Sequence, residues 1–390
     1  MTKVRLPLAT SSWDEREIAA MQAVIESGHF TMGAKVSAYE KAFADYVGSR
    51  YAIMCSSGST ANLLMVAALF FRKENPLRRG DEVVVPAVSW STTYFPLAQY
   101  GLELRFVDID RETLNYDLEA LEQAISAKTR LMMAVNLLGN PNDFAVLKSL
   151  CDKSEIEMIE DNCESLGARF DGRHAGTFGL LGSYSSFFSH HISTMEGGVV
   201  VTDDEELYHI LLCLRAHGWT RNLPKNNRVT GVKSDDPFEE SFKFVLPGYN
   251  VRPLEMEGAI GIEQLAKLPA FVRERRRNAK VFQELFAANR DFYIQKEIGE
   301  SSWFGFSLVI KPGSRYTRAS LVDRLTELGV ECRPIVAGNF AKNQVLRWMD
   351  HAPVGPLPNA EWIDTNGLFI GNHPYPITSQ LHELADALRS

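Results

Sequence analysis

Short apolar runs typical of β-strands alternate with helical stretches through the first 200 residues, and this alternation restricts the fold more than any other feature. The strand candidates are Tyr51–Cys55, Glu82–Pro86, Leu104–Ile109, Leu131–Leu137, Ile156–Glu160, Ser183–Phe188 and Val199–Thr202. The helical stretches among them are Ala61–Phe71, Leu118–Ile125, Phe144–Asp152 and Glu205–Ala216. Such alternation indicates a mainly parallel sheet covered by helices. The sequence therefore predicts an α/β fold.

The sequence also marks the ends of individual helices. Ser12 and Glu15, ahead of an apolar periodic stretch, predict a capping box, and Gly28 predicts the end of that first helix. A long helical pattern runs from about Leu254 to Ala288, and Pro269 predicts an interruption within it. We therefore expect a capped first helix and a broken long one.

The length of the chain predicts two domains, because 390 residues exceed the size over which one hydrophobic core usually grows. We predict a large domain over residues 1–255 and a smaller C-terminal domain over residues 256–390. The smaller one would contain a strand at Phe304–Ile310 and a helix at Ala319–Leu328. The polar stretch Trp219–Arg252 is too long for a plain connection, so we expect it to carry function.

Composition argues against several classes of function. A net charge of −8 does not suit a nucleic-acid-binding surface, and we interpret the basic run at residues 273–277 as a solvated helix face. The chain lacks an apolar run of the roughly 18 residues that a membrane span needs. Its start, Met1–Thr10, lacks the pattern of a secretory signal, so we expect a cytoplasmic protein. The five cysteines are scattered without C-x-x-C spacing, so we expect neither a bound metal nor an iron–sulfur cluster.

A candidate phosphate site lies in the run Cys55–Asn62, where an apolar strand gives way to a helix. Small residues such as Gly58 and Ser59 let backbone N–H groups close on an anion, and the helix N-terminus adds its partial positive charge. The alternative is an ordinary strand-to-helix turn. The run is not a Walker loop, because no Gly-Lys-Ser or Gly-Lys-Thr follows it.

A candidate carboxylate lies at Asp161, where the apolar strand candidate Ile156–Glu160 ends. Open α/β sheets bind ligands at the carboxyl ends of their strands. A carboxylate in that place can hold a protonated ring nitrogen, as the electron-sink chemistry of pyridoxal phosphate requires. The alternative is that Asp161 simply caps a helix.

The segment Ser183–Gly198 carries the most specific signal. It reads Ser-Tyr-Ser-Ser-Phe-Phe-Ser-His-His-Ile-Ser-Thr-Met-Glu-Gly-Gly. It resembles the cofactor-lysine region of the DegT/DnrJ sugar aminotransferase family, in which Ser-Phe-x-x-x-Lys-Asn precedes a Glu-Gly-Gly or Asp-Gly-Gly turn. Counting back from Glu196 places His190 where the family has its Schiff-base lysine. Ser186 and His191 depart from the motif's phenylalanine and asparagine, so the register rests mainly on the turn.

The resemblance covers nearly the whole chain and implies the fold-type I architecture of pyridoxal-phosphate-dependent aminotransferases. That architecture has a large domain with a mainly parallel seven-stranded sheet and a smaller C-terminal α/β domain. By resemblance, Trp90 would stack on the pyridine face of the cofactor. Ser185 would contact the cofactor phosphate beside the amides of Gly58 and Ser59, and Glu164 would lie near the ring.

The run Gly248–Arg252 resembles the family motif Gly-Tyr-Asn-x-Arg, whose asparagine reaches the cofactor phosphate of the neighbouring subunit. The matching residue is Asn250, and a homodimer with shared active sites is implied. His191 is interpreted as a structural neighbour of His190. His217 is a candidate second catalytic residue. The alternative is that this histidine, at a helix end, only interacts favourably with the helix dipole.

A histidine in the lysine position changes the expected chemistry. Imidazole forms no stable imine, yet its pKa near 6.5 suits proton transfer near neutrality. Within the family this replacement resembles the sugar 3-dehydratases. The resemblance implies pyridoxal or pyridoxamine 5′-phosphate as cofactor and L-glutamate as amino donor. The substrate implied is a nucleotide-linked 4-keto-6-deoxysugar, GDP-4-keto-6-deoxy-D-mannose. The products would be ammonia and a 4-keto-3,6-dideoxy sugar, as in the synthesis of colitose for lipopolysaccharide O-antigens.

Two other functions remain open from the sequence. One is an ordinary pyridoxal-phosphate-dependent nucleotide-sugar aminotransferase, which would need a lysine near the Ser183–Gly198 segment, whereas none lies between Lys153 and Lys225. The other is a non-catalytic scaffold or regulator that binds the cofactor. Such a protein would keep Asp161 and Trp90 but turn over no substrate.

Overall fold

The computed structural model describes residues 5–389, which contain a seven-stranded and a four-stranded β-sheet. The larger sheet comprises β1 (Tyr51–Cys55), β2 (Glu82–Pro86), β3 (Glu103–Val107), β4 (Thr129–Val135), β5 (Glu157–Asp161), β6 (Gly182–Ser185) and β7 (Gly198–Thr202). The smaller sheet comprises β8 (Phe292–Tyr293), β9 (Gly305–Ile310), β10 (Cys332–Arg333) and β11 (Gly367–Gly371). Two hairpins of two-residue strands lie outside these sheets, Arg169–Phe170 with Arg173–His174 and Asn226–Asn227 with Gly231–Val232.

Helices cover the sheets and join their strands. The α-helices are α1 (Glu15–Ser27), α2 (Ala34–Val47), α3 (Gly58–Phe71), α4 (Ser91–Gln99), α5 (Leu118–Ala124), α6 (Phe144–Ser154), α7 (Glu205–Leu214), α8 (Pro237–Ser241), α9 (Glu255–Phe286), α10 (Arg318–Leu328), α11 (Pro358–Asn366) and α12 (Thr378–Arg389). Short 3-10 helices lie at Leu137–Gly139, Phe340–Lys342 and Gln344–Trp348.

The larger sheet is parallel except for one strand. Its order is β1-β7-β6-β5-β4-β2-β3, and β7 runs antiparallel to both of its neighbours. It can do so because the chain returns from β6 directly through the connection 186–197, whereas parallel neighbours need a crossover. The predicted α/β fold with a mainly parallel sheet is confirmed. Each predicted strand of this sheet is found, with ends shifted by at most three residues.

The predicted cap of the first helix was placed at the wrong residues. The capping box is formed by Asp14 and Glu17, because the Asp14 carboxylate caps the helix and the Glu17 side chain accepts from the Asp14 amide at 2.8 Å. Ser12 instead donates its hydroxyl proton to Gln264 at 2.7 Å. The predicted end is confirmed, since Gly28 adopts the left-handed conformation with φ of 70°.

The predicted break at Pro269 is also wrong, because α9 runs unbroken from Glu255 to Phe286. Leu265, Leu268 and Val272 are buried in one hydrophobic cluster with residues of α2. This packing holds the helix together although proline removes one backbone hydrogen bond.

The basic run at residues 273–277 is only partly a solvated face, which corrects the expectation from the sequence. Arg275 is 5% exposed, and its guanidinium donates to the carbonyls of Phe304 at 3.0 Å and Asn372 at 2.8 Å. Burial lowers the pKa of Arg275 to about 10. This arginine therefore ties α9 to the strands of the smaller sheet.

The C-terminal part packs around the smaller sheet, whose strand order is β8-β9-β11-β10. Its hydrophobic cluster includes Phe282, Phe306 and Leu381, and also Leu6 from the start of the chain, which bridges to Val330. The division into residues 1–255 and 256–390 stays a prediction. Residues 1–4 and 390 lie outside the described residues, and the former are the first four residues of the segment Met1–Thr10, from which the absence of a secretory signal was predicted.

The part of the chain from 5 to 389 has no helix long and apolar enough to cross a bilayer. In the same residues, no group of three or more histidine, cysteine or acidic side chains is placed to hold a metal ion. The long stretch Trp219–Arg252 contains the second hairpin and α8, and it folds back on itself through the buried Glu240, which accepts from the Ser234 amide at 2.9 Å.

Candidate active site

A cavity of about 390 Å³ opens at the carboxyl ends of the parallel strands. Its size lies in the range of pockets that hold small molecules. Most of the residues predicted to bind the cofactor line it together with His190, namely Gly58, Ser59, Trp90, Asp161, Glu164 and Ser185. The fold thus brings residues from four separate stretches of sequence to one place.

The first turn of α3 forms one wall of this cavity. Ser57 caps the helix by accepting from the Thr60 amide at 3.1 Å, and the amides of Gly58 and Ser59 follow at the free helix end. A Cβ atom on Gly58 would lie 2.6 Å from the Cβ of Ser185 and 2.9 Å from the Sγ of Cys163. Only glycine therefore lets the helix end approach β6 this closely. The result is a concave surface of first-turn amides suited to an anion.

Asp161 lies at the end of β5 and is 6% exposed. One of its oxygens accepts from the Asn62 side-chain amide at 2.7 Å and from the Thr93 hydroxyl at 2.8 Å. The other accepts from the Cys163 backbone amide at 3.2 Å. These hydrogen bonds hold the carboxylate in one orientation beside the cavity. Its role is more than helix capping, because its partners come from α3 and α4 as well as from its own loop.

Asn62 and Thr93, which donate to the Asp161 carboxylate, were not predicted from the sequence. Asn62 was part of the glycine- and serine-rich run, but its orientation is visible only in three dimensions. Its side-chain oxygen accepts from the Ser183 hydroxyl at 2.6 Å, which directs its amide toward Asp161. Thr93 is also bonded to Ser89 at 2.7 Å. A buried polar residue next to a predicted ligand-binding strand end is the signal that could have found them.

Trp90 and Ser185 both line the cavity. Trp90 precedes α4, and its side chain is 58% exposed, which leaves a ring face open to a planar ligand. Ser185 ends β6, and its hydroxyl accepts from the Phe187 amide at 3.3 Å.

Glu164 is a half-buried carboxylate in the cavity wall. It accepts from the Leu138 backbone amide at 3.1 Å. Burial raises the pKa of Glu164 to about 7; the hydrogen bond from Leu138 opposes this shift, and the charge of Asp161 adds to it. This carboxyl group can therefore gain or lose a proton near neutral pH.

His190 lies in the connection between β6 and β7, and its ring is held by one specific contact. Nδ1 lies 2.9 Å from the backbone carbonyl oxygen of Cys163. Because a carbonyl can only accept, Nδ1 carries the proton, and Nε2 keeps its lone pair for the cavity that His190 lines. Burial lowers the pKa of His190 to about 4, so the ring is neutral at pH 7. This arrangement is that of a general base.

His191 points the other way from the cavity lining. It is 1% exposed, and its Nε2 donates to the Ser302 carbonyl at 3.2 Å. The two neighbouring histidines thus anchor the connection on different surfaces, His190 against Cys163 and His191 against the C-terminal part of the chain.

His217 and Asn250 lie outside the lining of this cavity in the single chain. His217 has a positive φ of 59°, and its ring stacks edge-on against Trp219 at 4.9 Å. Asn250 is exposed and pairs with Ala216 in a short bridge. A catalytic role for His217 and a phosphate contact from Asn250 both remain predictions.

The sequence profile of the DegT/DnrJ/EryC1/StrS aminotransferase family matches residues 11–389. The chain is 62% identical over 387 residues to GDP-4-keto-6-deoxy-D-mannose 3-dehydratase of Yersinia pseudotuberculosis, covering 99% of this chain and 98% of that protein. It is 59% identical over 387 residues to the protein of the same name from Escherichia coli O55:H7, covering 99% and 100%.

The chain belongs to the DegT/DnrJ/EryC1/StrS aminotransferase family. Its structure superimposes with a TM-score of 0.97 on the E. coli GDP-4-keto-6-deoxy-D-mannose-3-dehydratase with bound hydrated PLP, at 58% identity and full coverage of both chains. The same score applies to GDP-4-keto-6-deoxymannose-3-dehydratase with a trapped PLP–glutamate geminal diamine and to its mutant with bound GDP-perosamine. Each is 59% identical and covers 98% of this chain and 100% of that chain. The predicted aminotransferase architecture is confirmed.

The residues of the cavity fit the cofactor of this family. The first-turn amides at Gly58 and Ser59 suit a phosphate, and the close approach of Gly58 to Ser185 leaves a cradle that a side chain would fill. The oriented carboxylate of Asp161 suits a protonated ring nitrogen, and the open face of Trp90 suits an aromatic ring. The register predicted from the Glu-Gly-Gly turn places His190 at the family's lysine, and an imidazole would not tether the cofactor.

Proposed function

We propose that this chain is a 3-dehydratase of a nucleotide-linked 4-keto-6-deoxysugar, GDP-4-keto-6-deoxy-D-mannose, and that it depends on pyridoxal and pyridoxamine 5′-phosphate. The observation that carries the proposal is His190, a neutral imidazole anchored through Nδ1 in the cavity. The sequence motif predicts the family's lysine at this same position. The identities of 62% and 59% to two enzymes of this name support the choice of substrate.

In this proposal Gly58, Ser59 and Ser185 hold the phosphate of the cofactor, Asp161 holds its ring nitrogen in the protonated state, and Trp90 covers its ring. The bound cofactor supplies an electron sink that makes an adjacent C–H bond acidic. Three hydrogen bonds fix the orientation of the Asp161 carboxylate for this contact.

His190 accepts a proton at Nε2 and returns it to the departing C3 hydroxyl of the sugar, which leaves as water. One imidazole thus serves as base and then as acid. Because His190 forms no lasting bond to the cofactor, the product is released by hydrolysis, and ammonia leaves with it. The overall products are a 4-keto-3,6-dideoxy sugar, ammonia and, from the glutamate donor, 2-oxoglutarate.

The trapped PLP–glutamate species of the 59% identical enzyme supports glutamate as donor, and its GDP-perosamine complex supports a GDP-linked sugar. We further propose a cytoplasmic homodimer in which Asn250 completes the phosphate site of the neighbouring subunit. The product would serve the synthesis of a dideoxysugar such as colitose for lipopolysaccharide O-antigen.

The assay that tests this proposal follows products rather than substrate loss. Purified protein with pyridoxal phosphate, glutamate and GDP-4-keto-6-deoxy-D-mannose should release ammonia and 2-oxoglutarate in equal amounts, together with a sugar nucleotide lighter by one oxygen. A 4-amino sugar without ammonia would identify an aminotransferase instead. Cofactor binding without either product, with CDP- and dTDP-linked sugars tried in parallel, would identify a scaffold.

A further inference from the structure

The connection 186–197 that carries His190 is held by side chains from two distant parts of the chain. The contacts converge on Ser193, three residues after His190 and 1% exposed. The Ser193 amide donates to the side-chain oxygen of Gln264 at 3.0 Å. The Ser193 carbonyl accepts from the indole N–H of Trp13 at 2.9 Å. The backbone N–H and the backbone carbonyl of Ser193 are thus both hydrogen-bonded to side chains from outside the connection.

The orientation of Gln264 is determined by a buried polar network. Its oxygen also accepts from the Ser12 hydroxyl at 2.7 Å, and its nitrogen donates to the Ser12 carbonyl at 3.2 Å and to Glu17 at 2.7 Å. Turning the amide over would set donor against donor at the Ser193 amide, and acceptor against acceptor at the Ser12 carbonyl and at Glu17. The network therefore fixes Gln264 in the one orientation in which its side-chain oxygen faces the Ser193 amide.

The carboxylate of Glu17 completes this network and is itself fully bonded. It is 0% exposed and accepts from both Lys267, at 2.6 and 2.7 Å, and the Asp14 amide at 2.8 Å. A buried charge with all its partners in place resists rearrangement, because any displaced partner leaves a charge unpaired. The network is therefore a rigid support.

The connection needs such support because its backbone is strained. Met195, two residues after Ser193, has a positive φ of 73°, which costs a residue with a Cβ atom about 1 kcal/mol. Local preference does not stabilise this shape, so contacts from the rest of the fold must do so.

We propose that Trp13 and Gln264 are positioning residues for His190, and that they act by clamping the Ser193 peptide groups. The segment before α1 and the middle of α9 then belong to the support of the active site although neither lines the cavity. This inference rests on the proposed function only where His190 is taken as the base.

Trp13→Phe tests the clamp because it removes one N–H donor and keeps an aromatic ring. Trp362→Phe is the matched control, since the Trp362 indole also donates to a backbone carbonyl, that of Ile310 at 2.8 Å, far along the chain from the connection. The first measurement is amide hydrogen exchange of the cofactor-free protein. We expect faster exchange in peptides from residues 186–197 for Trp13→Phe and unchanged exchange there for the control.

The second measurement is the dehydration reaction. Trp13→Phe should lower kcat about 10-fold while KM for the sugar nucleotide changes less than about 2-fold, because the base is misplaced and the substrate contacts remain. Ser12→Ala, which frees Gln264 on one side, should act in the same direction with a smaller loss.

Unchanged exchange in residues 186–197, a change in KM alone, or an equal loss in the Trp362→Phe control would overturn the clamp. Failure of the proposed function can be distinguished from failure of the clamp. In the first case the wild-type protein would not dehydrate the sugar nucleotide, but the difference in hydrogen exchange between wild type and Trp13→Phe would persist. Far-ultraviolet circular dichroism and the melting temperature identify any variant that fails to fold, and Ser12→Ala then carries the test.

Discussion

His190 is kept neutral and correctly oriented by two different features of its surroundings. The Cys163 carbonyl selects the tautomer with Nδ1 protonated, and burial lowers the pKa of His190 to about 4. A lysine at the same position would be tethered to the cofactor, whereas this imidazole is free to move protons. Because imidazole forms no stable imine, no covalent link to the cofactor is expected at this position, as the proposed elimination requires.

Replacing the base tests its role directly. His190→Asn keeps a polar side chain but cannot take up a proton near neutrality, so kcat for dehydration should fall about 10² to 10⁴-fold. Cofactor binding, followed by its absorbance, should change little. His29→Asn, at an exposed histidine, is the control. Wild-type rates in the His190 variant would remove histidine from the mechanism.

The low pKa of His190 also predicts a pH profile. Because kcat/KM reports the free enzyme, it should show no midpoint near 6.5 from His190 as pH falls from about 8 to about 5.5, whereas Glu164, whose pKa is raised to about 7, can contribute a change of its own. Initial rates over this range, checked for protein stability at each pH, would decide the matter. A midpoint near 6.5 that disappears in His190→Asn would show that the imidazole is not depressed.

Adding one carbon atom at Gly58 should lower the affinity of the protein for its cofactor. In Gly58→Ala the new Cβ would lie 2.6 Å from the Cβ of Ser185, so α3 must move away from β6. Overpacking of this kind should raise the dissociation constant of pyridoxal phosphate roughly 10-fold, as measured by absorbance titration. Gly355→Ala, where a Cβ meets nothing within 4 Å, is the control.

Among the elements, α9 departs most from its sequence pattern. The helix passes through Pro269 unbroken, with one face in the core and Gln264 in the network beneath the His190 connection. Its continuity joins the support of the active site to Arg275, which binds the smaller sheet. A break at Pro269 would separate these two functions of one helix.

Replacing Pro269 within this helix should stabilise the protein. Pro269 is exposed, and Pro269→Ala would restore a backbone hydrogen bond within α9, so thermal unfolding should shift upward by a few degrees, about 1 kcal/mol or more. Pro312→Ala, in an exposed turn where proline fits, should give no gain. A lower melting temperature for Pro269→Ala would show that the proline is required in this helix.

At the scale of the whole molecule, the proposed shared site predicts complementation between two inactive variants. In a hybrid of His190→Asn with Asn250→Ala, one site would contain both wild-type residues. Random mixing should therefore recover about a quarter of wild-type activity if active sites are shared across a dimer. Subunits are exchanged by refolding together, and activity is compared with each variant alone. No recovery in mixtures whose mass is that of a dimer would place Asn250 outside the partner's site.

Three buried histidines should make folding less stable as the solution becomes acidic, while the raised pKa values of Glu164 and Glu257 act in the opposite direction. The pKa values of His174, His190 and His373 are each lowered to about 4, mainly by burial. Between about pH 4 and the unfolded value near 6.5 the unfolded chain binds more protons, so folding is weakened as pH falls through this window. Denaturant midpoints at about pH 7 and pH 5 measure the slope. His373→Gln should flatten it by up to about 1 kcal/mol per pH unit, and His29→Gln should leave it unchanged.

Much of this architecture could be predicted from the order of residues because its determinants are local. Buried parallel strands appear as apolar runs, and Gly58, Asp161 and Ser185 lie at or just after the carboxyl ends of strands. The sheet and these cavity-lining residues were therefore predictable. The presence of His190 at the position where the family motif has lysine was also visible in the sequence, because it changes the type of residue within a recognisable motif.

Other features depend on contacts between residues far apart in the chain, which no local pattern encodes. Asn62 and Thr93 orient Asp161 only because three elements meet. His190 is oriented by the backbone carbonyl of Cys163, and since every residue has such a carbonyl, the residue type at position 163 does not reveal this contact. The unbroken α9, the burial of Arg275 and the clamp on Ser193 have the same origin. Hydrogen bonding and burial at these places are properties of the assembled core, so the residue sequence set the chemistry available and the tertiary structure decided its orientation and charge.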